Sequence, residues 1–294
     1  MDKMNILCAT NNGYVSPCLT MLQSLFENCN DEIVVWYLYT ELSDKNKKRI
    51  KKLVESKNNG TLQLVKVEDE IFTDAPVLSH FSKEMYYRIL AAKLLPVTID
   101  RVLYLDSDII VKDNIDEFYY QDFTINNKEK LFVVCPDQID DFHNQEYHIR
   151  LKIPMEKTYF NSGVILMNLK MMRQEVKLPQ VFSYISENRE KLILPDQDLL
   201  NALYYDKVIV DDKKYNLMLS SYSPTSFQKF NEAKIIHFTG AYKPWKYGYY
   251  KMGGELFKEY TFKAGCGIWY IKSKTTTWLR TRQKALKKFL KKFI

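Results

Sequence analysis

Short uninterrupted apolar runs alternate along the chain with stretches of helical spacing, and this alternation predicts the elements. Asn5–Ala9 (NILCA) is a first strand that stops at the polar Thr10-Asn11-Asn12-Gly13. Val15, Leu19, Leu22 and Phe26 then recur at helical spacing, with Ser16-Pro17 offering an N-cap and a first-turn proline. Ile33–Tyr39 (IVVWYLY) reads as a buried strand. Ser43 caps a charged helix whose apolar positions are Ile50, Leu53 and Val54, and Leu62–Val67 makes a third strand. Further on, the pattern predicts a helix over 83–94 and strands at Val102–Leu105, Leu131–Cys135 and Val164–Met167. Helices follow over Pro179–Glu187 and Asp196–Tyr204, and Lys234–Ile236 is the last strand.

Strands alternating with helices imply an α/β fold with a mostly parallel sheet covered on both faces. Such sheets bind ligands beyond the carboxyl ends of their strands, so the polar residues after each apolar run are where chemistry is expected. No GxGxxG follows the first strand and no GxxxxGK[ST] occurs anywhere. A diphosphate would therefore have to be held by a metal and basic side chains.

The strand at Val102–Leu105 delivers Asp106-Ser107-Asp108, and an apolar run resumes at once. Two neighbouring carboxylates repel and are costly to desolvate, so they favour a cation, with Mn²⁺ or Mg²⁺ suited to oxygen ligands. The same three residues also make an ordinary solvated turn. His237 directly follows Lys234–Ile236 and opens the block His237-Phe-Thr-Gly240-Ala-Tyr-Lys243-Pro-Trp245. Imidazole is a good Mn²⁺ ligand, glycine permits close backbone approach, and Lys243 brings a point charge for phosphate.

Composition allows one large domain: 294 residues, 46% hydrophobic and 14% aromatic, with no low-complexity tract. Five scattered cysteines without a CxxC pair read as reduced buried thiols. No apolar stretch is long enough to span a bilayer. Charge becomes informative once located. From Lys263 onward there are ten Lys or Arg and no Asp or Glu, so a whole-chain net charge of +7 leaves residues 1–262 at −3. Leu279, Leu286, Leu290 and Phe293 recur at helical spacing beside Trp278, Phe289 and Ile294, with Arg282 interrupting the stripe. That pattern predicts a basic amphipathic helix suited to an anionic membrane surface, and the acidic body argues against nucleic acid.

Together Ala9–Tyr14, Tyr87-Arg88, Leu103–Asp108, Phe160–Val164, Asp196–Asp198 and His237–Trp245 resemble glycosyltransferase family 8, in consistent order over roughly residues 4–250. This retaining group includes bacterial lipopolysaccharide galactosyl- and glucosyltransferases and the glycogenins. The resemblance implies a single nucleotide-sugar-binding Rossmann-like domain of the glycosyltransferase A type over 1–250. Residues 251–294 would be a basic helical tail for membrane-surface attachment, placing the protein on the cytoplasmic face. It implies Asp106, Asp108 and His237 as ligands of Mn²⁺ (Mg²⁺ being the alternative) and Gly240 and Lys243 as diphosphate contacts. Ala9, Asn11, Tyr14 and Ser107 would complete the nucleotide site. Arg88, Asn161, Asp196 and Gln197 would hold the donor sugar, with Asp137 and His80 at the acceptor.

The implied activity is Mn²⁺-dependent transfer of a hexose, galactose or glucose, from a UDP-sugar to a hydroxyl of a glycan or glycolipid. Asn11 stands where the family usually has an acidic residue against the base, and Gly13 replaces a usual Asn; an amide still donates and accepts hydrogen bonds. Gln197 is a poor nucleophile, which favours attack from the face the leaving group vacates, with Asp196 and Asp198 as rival nucleophiles. A sugar-phosphate nucleotidyltransferase and a non-catalytic nucleotide-sugar-binding scaffold are the alternatives. The first is disfavoured by the His237–Trp245 block, the second by the complete Asp–Asp–His set.

Overall fold

The computed structural model describes residues 3–68, 86–219 and 225–290. His80 and the first part of the helix expected over 83–94 lie outside the described residues.

The elements follow the predicted order. β1 (Met4–Ala9), α1 (Val15–Asn28), β2 (Ile33–Tyr39), α2 (Asp44–Glu55) and β3 (Gly60–Lys66) build the amino-terminal half. Then come α3 (Tyr87–Leu94), β4 (Arg101–Leu105), β5 (Ile109–Val111), α4 (Asp116–Tyr119) and a small hairpin of β6 (Thr124–Ile125) and β7 (Lys128–Glu129). β8 (Phe132–Pro136), α5 (Asp141–Leu151), β9 (Phe160–Asn168), α6 (Leu169–Glu175), α7 (Leu178–Glu187) and α8 (Pro195–Tyr204) follow. The rest is β10 (Val208–Val210), β11 (Leu217–Met218), α9 (Phe227–Glu232), β12 (Ile235–His237), α10 (Gly254–Lys263) and α11 (Gly267–Leu290).

Seven strands form the main sheet in the order β10-β8-β9-β4-β1-β2-β3. β1, β2, β3 and β4 run parallel, β10 runs parallel to β8, and β9 alone is antiparallel to its neighbours. Alternate residues of each central strand enter opposite cores. Ile6 and Cys8, Leu103 and Leu105, and Val164 and Leu166 join the core under α1 and α2. Leu7, Val102, Tyr104, Ile165 and Met167 join the core under α3, α6 and α8. Burial of both faces is why these strands carry no polar alternation. All five cysteines are buried and free.

Two boundaries differ from expectation. α1 begins at Val15, before Ser16-Pro17, because the 3-10 turn over Asn12–Tyr14 already supplies its entry and Asn11 caps that turn. Ser16 is then free to accept a hydrogen bond from Arg49 at 2.8 Å, and Pro17 sits in the first turn, where a missing N–H costs nothing. β9 starts at Phe160, so the polar Asn161-Ser162-Gly163 lies inside a fully buried strand. Buried polar groups need partners, and α8 and β11 provide them.

The segment after residue 250 divides in two. α10 packs on α1, where Thr261 accepts from Thr20 at 3.1 Å and Tyr260 accepts from Asn28 at 2.9 Å. α11 begins beside it, anchored by the buried Tyr270, and is exposed at every position from Trp278 to Phe289. No helix of the described residues is long and apolar enough to cross a membrane.

Candidate active site

The carboxylate pair sits where the chain leaves the main sheet for a smaller one. Asp106 ends the β4 ladder, its N–H donating to the Gly163 carbonyl at 2.9 Å. Three residues later β5 pairs antiparallel with β12, and β12 pairs parallel with β11. That register sets His237 opposite Ile109, next to Asp108. His237 is thus the last residue of β12, 3% exposed.

Ligand atoms of Asp106, Asp108 and His237 all lie within 4.8 Å of one another. His237 Nε2 is 3.3 Å from Asp108 Oδ1 and 3.7 Å from Asp106 Oδ2. Nδ1 lies 3.0 Å from Asn216 Oδ1, an acceptor that places the imidazole proton on Nδ1 and leaves the Nε2 lone pair for a cation. Gly163 makes the convergence sterically feasible. A Cβ there would stand 2.3 Å from His237 Cε1 and 2.7 Å from Asp106 Oδ2. Two carboxylates, one imidazole and a bare glycine beside them fit a hard divalent cation such as Mn²⁺ or Mg²⁺.

Each carboxylate is held by a different cation. Arg88, from α3, is buried and ion-paired to Asp196 at 2.6 Å and Asp106 at 3.3 Å; it also donates to the Ser162 carbonyl and the Tyr104 hydroxyl. Burial alone would lower its pKa, and Asp196, Asp106 and Asp108 outweigh that and raise it. Burial pushes Asp106 above the ordinary carboxylate range, only partly offset by Arg88. Asp108 is buried too, yet Lys243 and His237 outweigh desolvation and hold it well below that range. Lys243 ion-pairs with Asp108 Oδ2 and donates to the Phe238 carbonyl at 2.7 Å.

A cavity of about 720 Å³ opens in front of this cluster, a size typical of small-molecule sites. Asp106, Asp108, His237, Gly240 and Lys243 line it. Asn161, Asp196, Gln197 and Asp137 also line it, as do Ile139, His143, Glu146, Tyr147, Ile193 and Leu194. Gln197 Oε1 accepts from Asn161 Nδ2 at 2.8 Å and the Ser162 N–H at 3.2 Å, and its Nε2 donates to Asp137 Oδ2 at 2.6 Å. Burial raises the Asp137 pKa against those hydrogen bonds. Asp196 Oδ2 accepts from Ser162 Oγ at 3.0 Å as well as from Arg88. Thr239 Oγ1 lies buried on the wall without a protein partner among the described residues, a donor left for a ligand.

Other expected residues sit elsewhere. Arg88 lies behind Asp106 and is not part of the cavity wall. Ala9, Asn11 and Tyr14 lie at the carboxyl end of β1 outside this cavity, with Asn11 Oδ1 accepting from the Gly13 N–H at 2.9 Å. Tyr14 meets Trp245 edge-on at 6.2 Å. Ser107 is the half-buried middle of the Asp106–Asp108 turn. Asp198 is not available as a nucleophile. It is fully buried and accepts from Arg150 at 2.8 Å, Tyr159 at 2.6 Å and the Leu194 N–H at 2.8 Å. Asn216 was not legible as a site residue. It is a lone Asn beside a two-residue strand, and only the packing shows that it bridges His237 and Asn161.

The same fold is found in the galactosyltransferase LgtC, solved in complex with donor and acceptor sugar analogues. Its TM-score is 0.74 at 22% identity, over 88% of this chain and 96% of that one. This sheet gives the chain the A-type glycosyltransferase fold. The family follows from the sequence match: glycosyl transferase family 8 is matched over residues 5–248, and the chain belongs to it. General stress protein A of Bacillus subtilis (strain 168) is 26% identical over 261 residues, covering 82% of this chain and 87% of the relative. Lipopolysaccharide 1,2-glucosyltransferase of Escherichia coli (strain K12) is 26% identical over 252 residues, covering 82% and 72%. Lipopolysaccharide 1,3-galactosyltransferase of Salmonella typhimurium (strain LT2) is 23% identical over 251 residues, covering 83% and 73%.

Proposed function

We propose that the protein is a retaining, Mn²⁺-dependent hexosyltransferase that takes galactose or glucose from a UDP-sugar and passes it to a hydroxyl of a glycan or glycolipid. The observation that carries this reading is the convergence of Asp106, Asp108 and His237 on the wall of a cavity that fixed polar groups also line. The metal, when bound, supplies Lewis-acid stabilisation of the diphosphate leaving group. Lys243 lies beside Asp108, and its ammonium offsets the negative charge that builds on the leaving group as the C1–O bond breaks. Arg88 bridges Asp106 and Asp196 and fixes both from behind.

Gln197 is pinned at both ends of its amide, so it positions the sugar without attacking it. Asp196 and Asp137 already carry hydrogen-bond or ion-pair partners, which blunts them as nucleophiles. The acceptor oxygen therefore bonds to C1 on the face the leaving group vacates, and its proton passes to the departing phosphate oxygen. The part of the cavity lined by Ile139, Tyr147, Ile193 and Leu194 with Glu146 and His143 is the acceptor side in this reading.

The outer half of α11 suits an anionic membrane surface. Between Trp278 and Phe289 it carries five Lys or Arg and no acid, with Trp278, Leu279, Leu286 and Phe289 exposed. Each cation near such a surface contributes about 1 kcal/mol. Sedimentation with phosphatidylglycerol vesicles tests this: a Lys287→Glu/Lys288→Glu double variant bound as tightly as wild type would overturn it.

The transfer reading is tested by nucleotide release from a panel of UDP-sugars, with and without Mn²⁺, for wild type and Asp108→Asn. Metal-dependent release from one donor, lost in the variant, supports it and names the sugar. A folded wild type that releases nothing from any UDP-sugar would overturn it.

A further inference from the structure

The loop after β12 brings Gly240 and Lys243 to the cavity, yet between Thr239 and Tyr247 it has no helix or strand of its own. It is open to solvent: Tyr242, which lines the cavity, is 54% exposed, and Gly240 and Gly248 both take positive φ, at +77° and +82°. Something must hold such a segment for Lys243 to stay beside Asp108. Two contacts come from α11. Trp269 packs against Trp245 with ring centroids 5.8 Å apart, and Thr277 Oγ1 accepts from the Tyr247 N–H at 2.8 Å.

Neither residue is explained by α11 as a basic surface helix. Thr277 closes a Thr275-Thr276-Thr277 run, a poor choice inside a helix. Its hydroxyl donates to the Ser273 carbonyl at 2.8 Å, which turns its lone pair toward the loop amide. Trp245 rests on Phe257 at 5.2 Å and on Trp269, and meets Tyr14 at the end of β1. A single ring thus links the first loop to the lysine loop, and α11 supports that ring from outside.

We propose that Trp269 and Thr277 are positioning residues for the donor diphosphate, acting through Trp245 and Tyr247 to hold the Gly240–Lys243 segment over the site. This rests on the transferase reading for the identity of the donor. α11 then has two halves with separate tasks, an inner one that braces the donor loop and an outer one that is exposed and basic.

The test compares Trp269→Ala, Trp269→Phe, Thr277→Val and Thr277→Ser in the full chain. Two readouts are taken: steady-state constants for donor and acceptor, and hydrogen–deuterium exchange of the amides between 239 and 250. Loss of one ring contact or one hydrogen bond is expected to raise the donor KM roughly 3- to 10-fold. The acceptor KM should stay put, while kcat should fall by a similar factor, because Lys243 also meets the charge that develops on the leaving group. Exchange of the loop amides should quicken, that of β1 and β4 should not, and the Phe and Ser variants should restore both readouts. An unchanged donor KM in Trp269→Ala overturns the proposal. So does a joint fall of every constant with the melting temperature that Trp269→Phe does not rescue. If the wild type releases no nucleotide at all, the transferase reading fails, and the exchange of 239–250 alone decides whether α11 braces the loop.

Discussion

Gly163→Ala is a one-carbon perturbation aimed at the proposed metal site. The backbone of Gly163 is ordinary strand, so alanine meets no conformational penalty and the effect is steric. The added Cβ would stand 2.3 Å from His237 Cε1 and 2.9 Å from Nδ1, against 3.4–4 Å for ordinary contact. Relief requires about 1 Å of movement, and neither neighbour is free to give it. His237 is held by Asn216 and by its register with Ile109 and Met218. Asp106 is held by Arg88 and by the Tyr104 hydroxyl at 2.7 Å. Overpacking of this kind costs about 1–3 kcal/mol of stability, a fall in melting temperature of roughly 2–5 °C for a chain this size. Displacing a catalytic group by about 1 Å costs on the order of 100-fold in rate. Expected, then, is a folded protein with a right-shifted Mn²⁺ titration of nucleotide release and a rate about 100-fold lower. Calorimetry and initial rates across a metal series measure both. A folded Gly163→Ala enzyme with wild-type rate and wild-type half-saturation by Mn²⁺ would refute the convergence of the three ligands over that glycine.

Other outcomes follow from the same geometry. Asn216→Ala should weaken metal affinity about 10- to 100-fold by freeing the His237 ring, with the Mn²⁺ titration as the readout. Asp198→Asn should lose about 1–3 kcal/mol of stability, since Arg150 loses its 2.8 Å charged partner while keeping Glu146 at 2.7 Å. Its residual activity should show no rescue by azide; rescue with inverted product would restore Asp198 as a nucleophile. Burial raises the Asp137 pKa, so ionising it opposes folding at pH values above its folded-state pKa. Asp137→Asn should therefore be more stable than wild type at neutral pH, the gap closing as pH falls through that pKa toward the unfolded value. Chemical denaturation at pH 7 and pH 4 checks the sign.

How much of this was legible in the sequence differs from element to element. The two-sided sheet was legible because a strand buried on both faces must be apolar at every position, and Ile33–Tyr39 and Val102–Leu105 are. The start of α1 was misplaced because Ser16 is a good cap in isolation, while the preceding turn, capped by Asn11, made a later cap unnecessary. The length of β9 was missed because its first residues are polar, and their partners lie more than thirty residues away on α8 and β11.

The sequence by itself determined the family, the order of elements and the residue types of the Asp106–Asp108 and His237–Trp245 blocks, because those depend on local pattern and motif. Only the tertiary structure decided that these blocks meet. β5 leaves the main sheet to pair with β12, a contact across more than a hundred residues that no local pattern encodes. It also decided that Gly163 is a clearance for His237, that Asp198 is structural, and that α11 reaches back to the donor loop through Trp269 and Thr277. Each of those depends on which side chains share a few ångströms of space, and that is a property of packing, not of sequence spacing.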